Sequence, residues 1–143
     1  MSIFTLSPFL ANIGTLTIKP SATKYTFQVA ENSHLDPKDE GGKPSFGHFT
    51  NHSCNPSAFI KIMSYNGDGE IDVIARGEIK PGEEVTVDYA AMEYDPVATG
   101  IVCKCESDGC RSIITGYRDL PEEVKRQYAS EGIISSYLFE LDN

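Results

Sequence analysis

Four cysteines constrain this chain more than any other feature. Cys54 stands alone in the first half, and Cys103, Cys105 and Cys110 follow far downstream as a Cys-x-Cys-x4-Cys run. Four thiolates are the number that closes a tetrahedral structural zinc site, and no cysteine is left over. A fold that uses all four must bring residue 54 against residues 103–110. Two disulfides are the rival reading, with unliganded thiols a third. Disulfides suit small secreted chains, yet Met1 to Thr15 lacks a basic start and carries Pro8 and Asn12 within its apolar part, unlike a signal peptide. A bond between Cys103 and Cys105 would be strained, although bonds from each to other cysteines stay open. Structural zinc is the preferred reading.

The remaining composition sets limits. A length of 143 residues suits one domain with a modest core. No apolar run approaches a membrane span, so no membrane role is expected. The formal net charge of -9 opposes a direct grip on DNA or RNA phosphates, which needs a basic footprint. It favours encounter with cations such as lysine-rich peptides or a sulfonium, and it also serves solubility. Four reduced thiols and no targeting signal lead to an expected intracellular location, cytoplasmic or nuclear.

Short alternating segments predict a mainly β, β-rich α+β chain. Thr15–Ile18 and Tyr25–Val29 read as half-buried strands joined by a turn at Lys19–Thr23. Asn32–Pro44, with Asp36, Pro37, Asp39, Gly41, Gly42 and Pro44, reads as a loop. Ala58–Met63 and Ile71–Ala75 read as a hairpin across Asn66-Gly67-Asp68-Gly69, because Gly and Asn tolerate the positive φ of tight turns. Glu84–Asp88 is a further short strand after a turn at Ile79–Glu83. Ala90–Val102 reads as a loop. Leu120, Val124 and Tyr128 recur every four residues and predict one amphipathic helix over Pro121–Tyr128, stopped by Gly132. Ile133–Leu141 is an apolar packing tail or lid, and residues 1–14 are apolar without clear period.

Three motifs then occur in order. Asn51-His52-Ser53-Cys54-Asn55-Pro56, Gly82-Glu83-Glu84-Val85-Thr86-Val87-Asp88-Tyr89, and Cys103-x-Cys105-x4-Cys110-Arg111 resemble the Asn-His-Ser-Cys-x-Pro, Gly-Glu-Glu-Leu-x-x-Asp-Tyr and cysteine-knuckle motifs of the SET-domain family of protein lysine methyltransferases. The knuckle is similar to that family's zinc-binding post-SET segment. The resemblance covers roughly residues 46–118. It implies small sheets with a pseudoknot, a four-cysteine zinc knuckle of Cys54, Cys103, Cys105 and Cys110, and one C-terminal helix. It divides the chain into a shortened SET-like part (1–102), a post-SET knuckle (103–118), and a C-terminal helix and tail (119–143), together one globular unit. By resemblance Asn51 and His52 bind S-adenosylmethionine, and Tyr89 is the catalytic residue at the transfer site for a substrate lysine.

Several positions depart from the family pattern. The Gly-x-Gly turn expected upstream is missing, since Gly14 stands alone and Gly41-Gly42 has the wrong spacing. His48 replaces a frequent Arg and Ser57 a frequent Asn. Val87 replaces an aromatic that helps set how many methyl groups fit. These departures keep two alternatives open beside a methyltransferase: a SET-derived binding scaffold, and a cofactor-independent enzyme acting on a small molecule. A homodimer is one way to complete the cofactor pocket.

Overall fold

The computed structural model of the chain describes residues 9–12, 17–19, 27–31, 33–36, 43–44, 49–62, 71–96 and 100–142. Ten short strands precede two helices in this set: β1 (Phe9–Asn12), β2 (Thr17–Lys19), β3 (Phe27–Ala30), β4 (Ser33–Asp36), β5 (Asn51–His52), β6 (Ala58–Ile62), β7 (Ile71–Ala75), β8 (Thr86–Val87), β9 (Ile101–Val102), β10 (Ile113–Ile114), α1 (Glu122–Glu131) and α2 (Ser136–Leu141). They form four small sheets, ordered β1-β7-β6, β2-β4-β3, β5-β8 and β9-β10. The β-rich class expected from the alternating segments is the one observed.

The β6–β7 hairpin is antiparallel from Ala58↔Ala75 to Ile62↔Ile71. Ala58 and Ile60 are buried while Lys61 is exposed, the period-two pattern of a sheet with one packed face. Val73 lies opposite Ile60 with no exposed surface. The tight turn expected at residues 66–69 lies outside the described residues, as do His48, Gly14, Gly41 and Gly42.

Local sequence missed several elements, most of them stabilised by pairing or packing against other segments. Ser33–Asp36, read as part of a loop, is the central strand β4 between β2 and β3. Phe9–Asn12 adds β1 to the free edge of β7, at the cost of one register shift. Residues 90–102 begin with a 3-10 turn over Tyr89–Ala91, capped when the Asp88 carboxylate accepts from Ala90 N–H, and end in β9 paired with β10. The apolar tail carries the second helix, α2, whose Leu138 is fully buried.

The helix expected from Leu120, Val124 and Tyr128 is α1, with Glu122 and Glu123 in its first turn, where acids suit the positive end of the dipole. Gly132 ends it at φ +70°, and Ile133 N–H closes the cap on Tyr128 O at 3.0 Å. Tyr128, Leu120, Tyr117, Ile133, Ile134 and Leu138 pack with Ala90 and Ala91 into one apolar cluster. The cluster therefore joins the C-terminal helices to the segment directly after Tyr89. Gly116 permits this approach, because a Cβ there would collide with the Tyr94 carbonyl oxygen.

A parallel pair of only two residues per strand, Asn51↔Thr86 and His52↔Val87, makes the pseudoknot crossing. Ser53 N–H continues it by donating to Val87 O at 3.0 Å. Beneath the crossing lies Asp88, whose side chain has no exposure. Its carboxylate accepts from Arg111 Nη2 at 2.8 and 2.7 Å, from the Tyr128 hydroxyl at 2.8 Å and from Ala90 N–H at 3.0 Å. One buried charge thus connects the strand β8, the cysteine knuckle and α1.

Removing one member of a buried ion pair leaves the other charge uncompensated. Asp88→Asn is expected to destabilise the chain by about 3 kcal/mol in urea unfolding, and Tyr128→Phe by about 1 kcal/mol. Equal losses in the two variants would contradict the assignment of Asp88 as the shared anchor.

Candidate functional site

The crossing brings Asn51, His52 and Tyr89 together from segments separated by the whole β6–β7 hairpin. His52 is the link between them. Tyr89 N–H donates to His52 Nδ1 at 3.2 Å, so Nδ1 is an acceptor and the neutral ring carries its proton on Nε2. Nε2 lies 3.5 Å from Cys54 Sγ, placing that proton toward the sulfur. Burial lowers the His52 pKa, outweighing the Asp88 carboxylate 3.6 Å from Nδ1. The imidazole is therefore a neutral bridge between the Tyr89 backbone and the cysteine cluster.

Tyr89 packs against the same ring, with centroids 5.2 Å apart and planes inclined at 58°. Its hydroxyl donates to Thr50 O at 2.9 Å. Burial, and then the charge of Glu93, raise the phenol's pKa, so it stays protonated. A phenol whose proton is committed to a carbonyl offers its oxygen lone pair outward as an acceptor. Asn51 is exposed, and its Nδ2 donates to Glu84 Oε1 at 2.6 Å.

All four cysteines carry free thiols, and their sulfurs lie within 4.8 Å of one another. Cys54 and Cys103 are 3.7 Å apart, far beyond a disulfide bond. At a zinc–sulfur length of about 2.3 Å, tetrahedral ligands are separated by about 3.8 Å, so this spacing fits a thiolate metal site. Arg111 N–H donates to Cys54 Sγ at 3.3 Å and Ser112 N–H to Cys110 Sγ at 3.4 Å, the contacts expected around electron-rich sulfurs. Burial pushes the Cys54 thiol up to about 12. Burial also opposes ionisation of Cys105, but hydrogen bonds led by the Ser107 hydroxyl bring it down to about 5. Without a cation such a cluster holds its charge unevenly; a dication would let all four ionise. The Cys105 and Cys110 side chains are half-buried, while Cys54 and Cys103 are buried.

Asn51 is exposed, and Tyr89 offers an oxygen with a committed proton. Among the described residues, no donor meets the Asn51 Oδ1.

The fold sets His52 against both Tyr89 and Cys54 and gathers the four sulfurs, while the Asn51 side chain meets Glu84. Three further residues escaped the sequence reading. Arg111 was visible only as the neighbour of the last cysteine, and its contacts to Asp88 needed the fold. Tyr128 was visible as a helix apolar position, with no sign that its hydroxyl reaches Asp88. Glu93 gave no signal at all: its N–H closes an i+4 turn on Tyr89 O at 3.0 Å. Val87, weighed as a channel-lining position, is 1% exposed and part of the packed crossing.

A parallel crossing buttressed by a four-thiol cluster and flanked by small sheets defines a particular class of β-rich domain. The family model described as the SET domain matches residues 6–90, and the chain belongs to the SET-domain family. The match reaches further toward the N-terminus than the motifs alone did. Curated relatives include a histone-lysine N-methyltransferase, H3 lysine-4 specific, of Debaryomyces hansenii, 34% identical over 64% of this chain and 8% of that protein. Histone-lysine N-methyltransferase TRX1 of Oryza sativa subsp. japonica is 29% identical over 83% of this chain and 11% of its own length. Histone H3-lysine(4) N-trimethyltransferase ATX1 of Arabidopsis thaliana is 30% identical over 65% of this chain and 8% of its own length. The chain thus spans about a tenth of the length of these relatives.

Among solved structures, KRYPTONITE in complex with mCHG DNA and SAH superposes with a TM-score of 0.55 and 24% identity, over 72% of this chain and 23% of that one. That likeness shows the fold. The relatives named here are all histone-lysine methyltransferases. The expectation of no nucleic-acid contact, drawn from net charge, gains no support, since this neighbour was solved with DNA. Among the described residues, no helix is long and apolar enough to cross a membrane.

Glu93 generates a pH prediction. Burial pushes its carboxyl up to about 7, from 4.5. The folded chain then holds a proton that the unfolded chain releases, so stability is fully present below about 4.5 and falls as pH rises through about 7. Glu93→Gln is expected to remove a loss on the order of 1–3 kcal/mol across that window. Chemical denaturation at about pH 5 and about pH 8, either side of the shifted value, measures it. An unchanged pH slope in the variant would refute the assignment.

Proposed function

We propose that this chain is a zinc-stabilised methyltransferase unit that moves a methyl group from S-adenosylmethionine to a lysine side chain. The observation that carries this reading is the convergence of Asn51, His52 and Tyr89 at the β5–β8 crossing of a SET-domain fold. S-adenosylmethionine, when bound, supplies an electrophilic methyl on a positively charged sulfur. Asn51 and His52 hold the cofactor, Asn51 toward its aminoacyl end and His52 largely through its backbone.

Tyr89 sits at the transfer site. Its hydroxyl proton points at Thr50 O, so the oxygen faces the reacting groups as an acceptor and orients a neutral amine. With the cofactor held by Asn51 and His52, the Tyr89 oxygen would keep a neutral amine turned toward the cofactor's methyl, and solvent would take the proton that the methylated amine sheds. Holding the amine within reach of the methyl would contribute by proximity, and an oxygen acceptor already in place would contribute without reorganisation.

Cys54, Cys103, Cys105 and Cys110 hold one structural zinc ion. The knuckle (103–118) and the helical tail (119–143) act with the SET-like part (1–102) as one unit. The relatives' names suggest a histone H3 tail as the first substrate to try. The reading that the net negative charge assists encounter with such a lysine-rich segment follows from electrostatic steering.

Metal analysis is expected to find one zinc per chain, lost in Cys110→Ser with a fall in thermal midpoint; a stable, zinc-free protein would contradict the metal assignment. Methyl transfer is tested by incubating the zinc-loaded protein with methyl-labelled S-adenosylmethionine and a peptide of the histone H3 amino terminus. Tyr89→Phe is expected to lower the rate by on the order of 10- to 100-fold with the cofactor still bound. A folded, zinc-loaded sample that neither binds the cofactor in calorimetry nor labels the peptide would refute methyl transfer.

A further inference from the structure

Glu84 enters the site only as the partner of Asn51, whose Nδ2 it accepts from. At 2.6 Å, the Nδ2–Oε1 distance is slightly shorter than the usual charge-assisted N–H···O hydrogen bond. A carboxylate can only accept, so it determines which end of the Asn51 amide faces it. The NH2 end turns to Glu84, and Oδ1 is left on the other side of the amide.

The backbones at both ends of this contact are tied to the crossing. Ser57 Oγ donates to Glu84 O at 3.0 Å and accepts from Thr86 N–H at 3.0 Å. Thr86 Oγ1 in turn accepts from Ser57 N–H at 3.2 Å. Asn51 lies in β5 directly opposite Thr86. Ser57, which departs from the residue common in the family, is therefore the peg that fixes Glu84 relative to Asn51.

We propose that Glu84 is a positioning residue which, through Asn51, presents a carbonyl oxygen to the ammonium of the cofactor's aminoacyl arm. The proposal rests on the S-adenosylmethionine reading. The chemistry of the arm explains why orientation matters. An ammonium only donates, so it needs Oδ1; an Asn51 amide turned over would set donor against donor. The Glu84 carboxylate also places a negative charge one amide away from that ammonium. Glu84 therefore acts on ligands that carry the arm and leaves an armless nucleoside thioether untouched.

Calorimetric titration of the zinc-loaded full chain with S-adenosylhomocysteine and with methylthioadenosine, which lacks the aminoacyl arm, tests this. Glu84→Ala is expected to weaken S-adenosylhomocysteine about tenfold, the cost of losing one charge-assisted hydrogen bond. Its effect on methylthioadenosine is expected to stay within about twofold. Glu84→Gln keeps a carbonyl acceptor for Asn51 Nδ2 and is expected to restore affinity to within about threefold of wild type. Equal weakening of both ligands would show a general loss of the pocket and overturn the proposal, as would unchanged S-adenosylhomocysteine affinity in Glu84→Ala. Wild-type protein that binds no S-adenosylhomocysteine would overturn the cofactor reading and this proposal together.

Discussion

A carboxylate cannot stay charged in a protein interior unless its oxygens are met on several sides, and Asp88 meets that condition with groups from three parts of the chain. Arg111 brings the cysteine knuckle, Tyr128 brings α1, and the Ala90 amide brings the turn that follows Tyr89. The Arg111 guanidinium is itself half-buried, and its Nε has no hydrogen-bond partner among the described residues. Asp88 is the carboxylate that this guanidinium meets, through Nη2. The position of Tyr89, one residue further on, is a consequence of this arrangement.

The neighbouring His52 extends the same network to the four-thiol cluster. Its Nδ1 receives Tyr89 N–H, and its Nε2 lies against Cys54 Sγ. A second path runs from Cys54 to Arg111 N–H and through the guanidinium to Asp88. The four-thiol cluster, the crossing and Tyr89 are thus one closed ring of contacts rather than adjacent modules. Groups outside a metal's immediate ligands commonly set how those ligands are oriented. Here the same groups also hold the residues proposed to face cofactor and substrate.

What the sequence disclosed depended on how local the governing physics was. The Cys54, Cys103, Cys105 and Cys110 set was legible because only a few chemistries use four thiols at that spacing. Asn51, His52 and Tyr89 were legible through motif order, and β6, β7 and α1 through hydrophobic period and end signals such as Gly132. The strand β4 was hidden because Asp36 and Pro37 give a loop signal, whereas two flanking strands supply its hydrogen bonds. β9 and β10 were hidden because two residues carry no period, and a knuckle bound at both ends makes the pair. Asp88 was seen as the end of a strand, but its partners lie 23 and 40 residues away, and no local pattern points to them. Ser57 was read as a departure, while in the fold it secures the approach of Glu84 to Asn51.

The contacts of His52 and Asp88 join the four-thiol knuckle and the side of the crossing proposed to face the cofactor into one unit. The most direct measurement is the affinity for S-adenosylhomocysteine of the zinc-loaded protein against that of the same sample stripped of metal by a chelator. The account predicts binding near one per chain with zinc, and a loss of at least about tenfold, equivalent to about 1.4 kcal/mol, without it. Equal affinity in the two states would show that the knuckle is an independent module and would contradict the account.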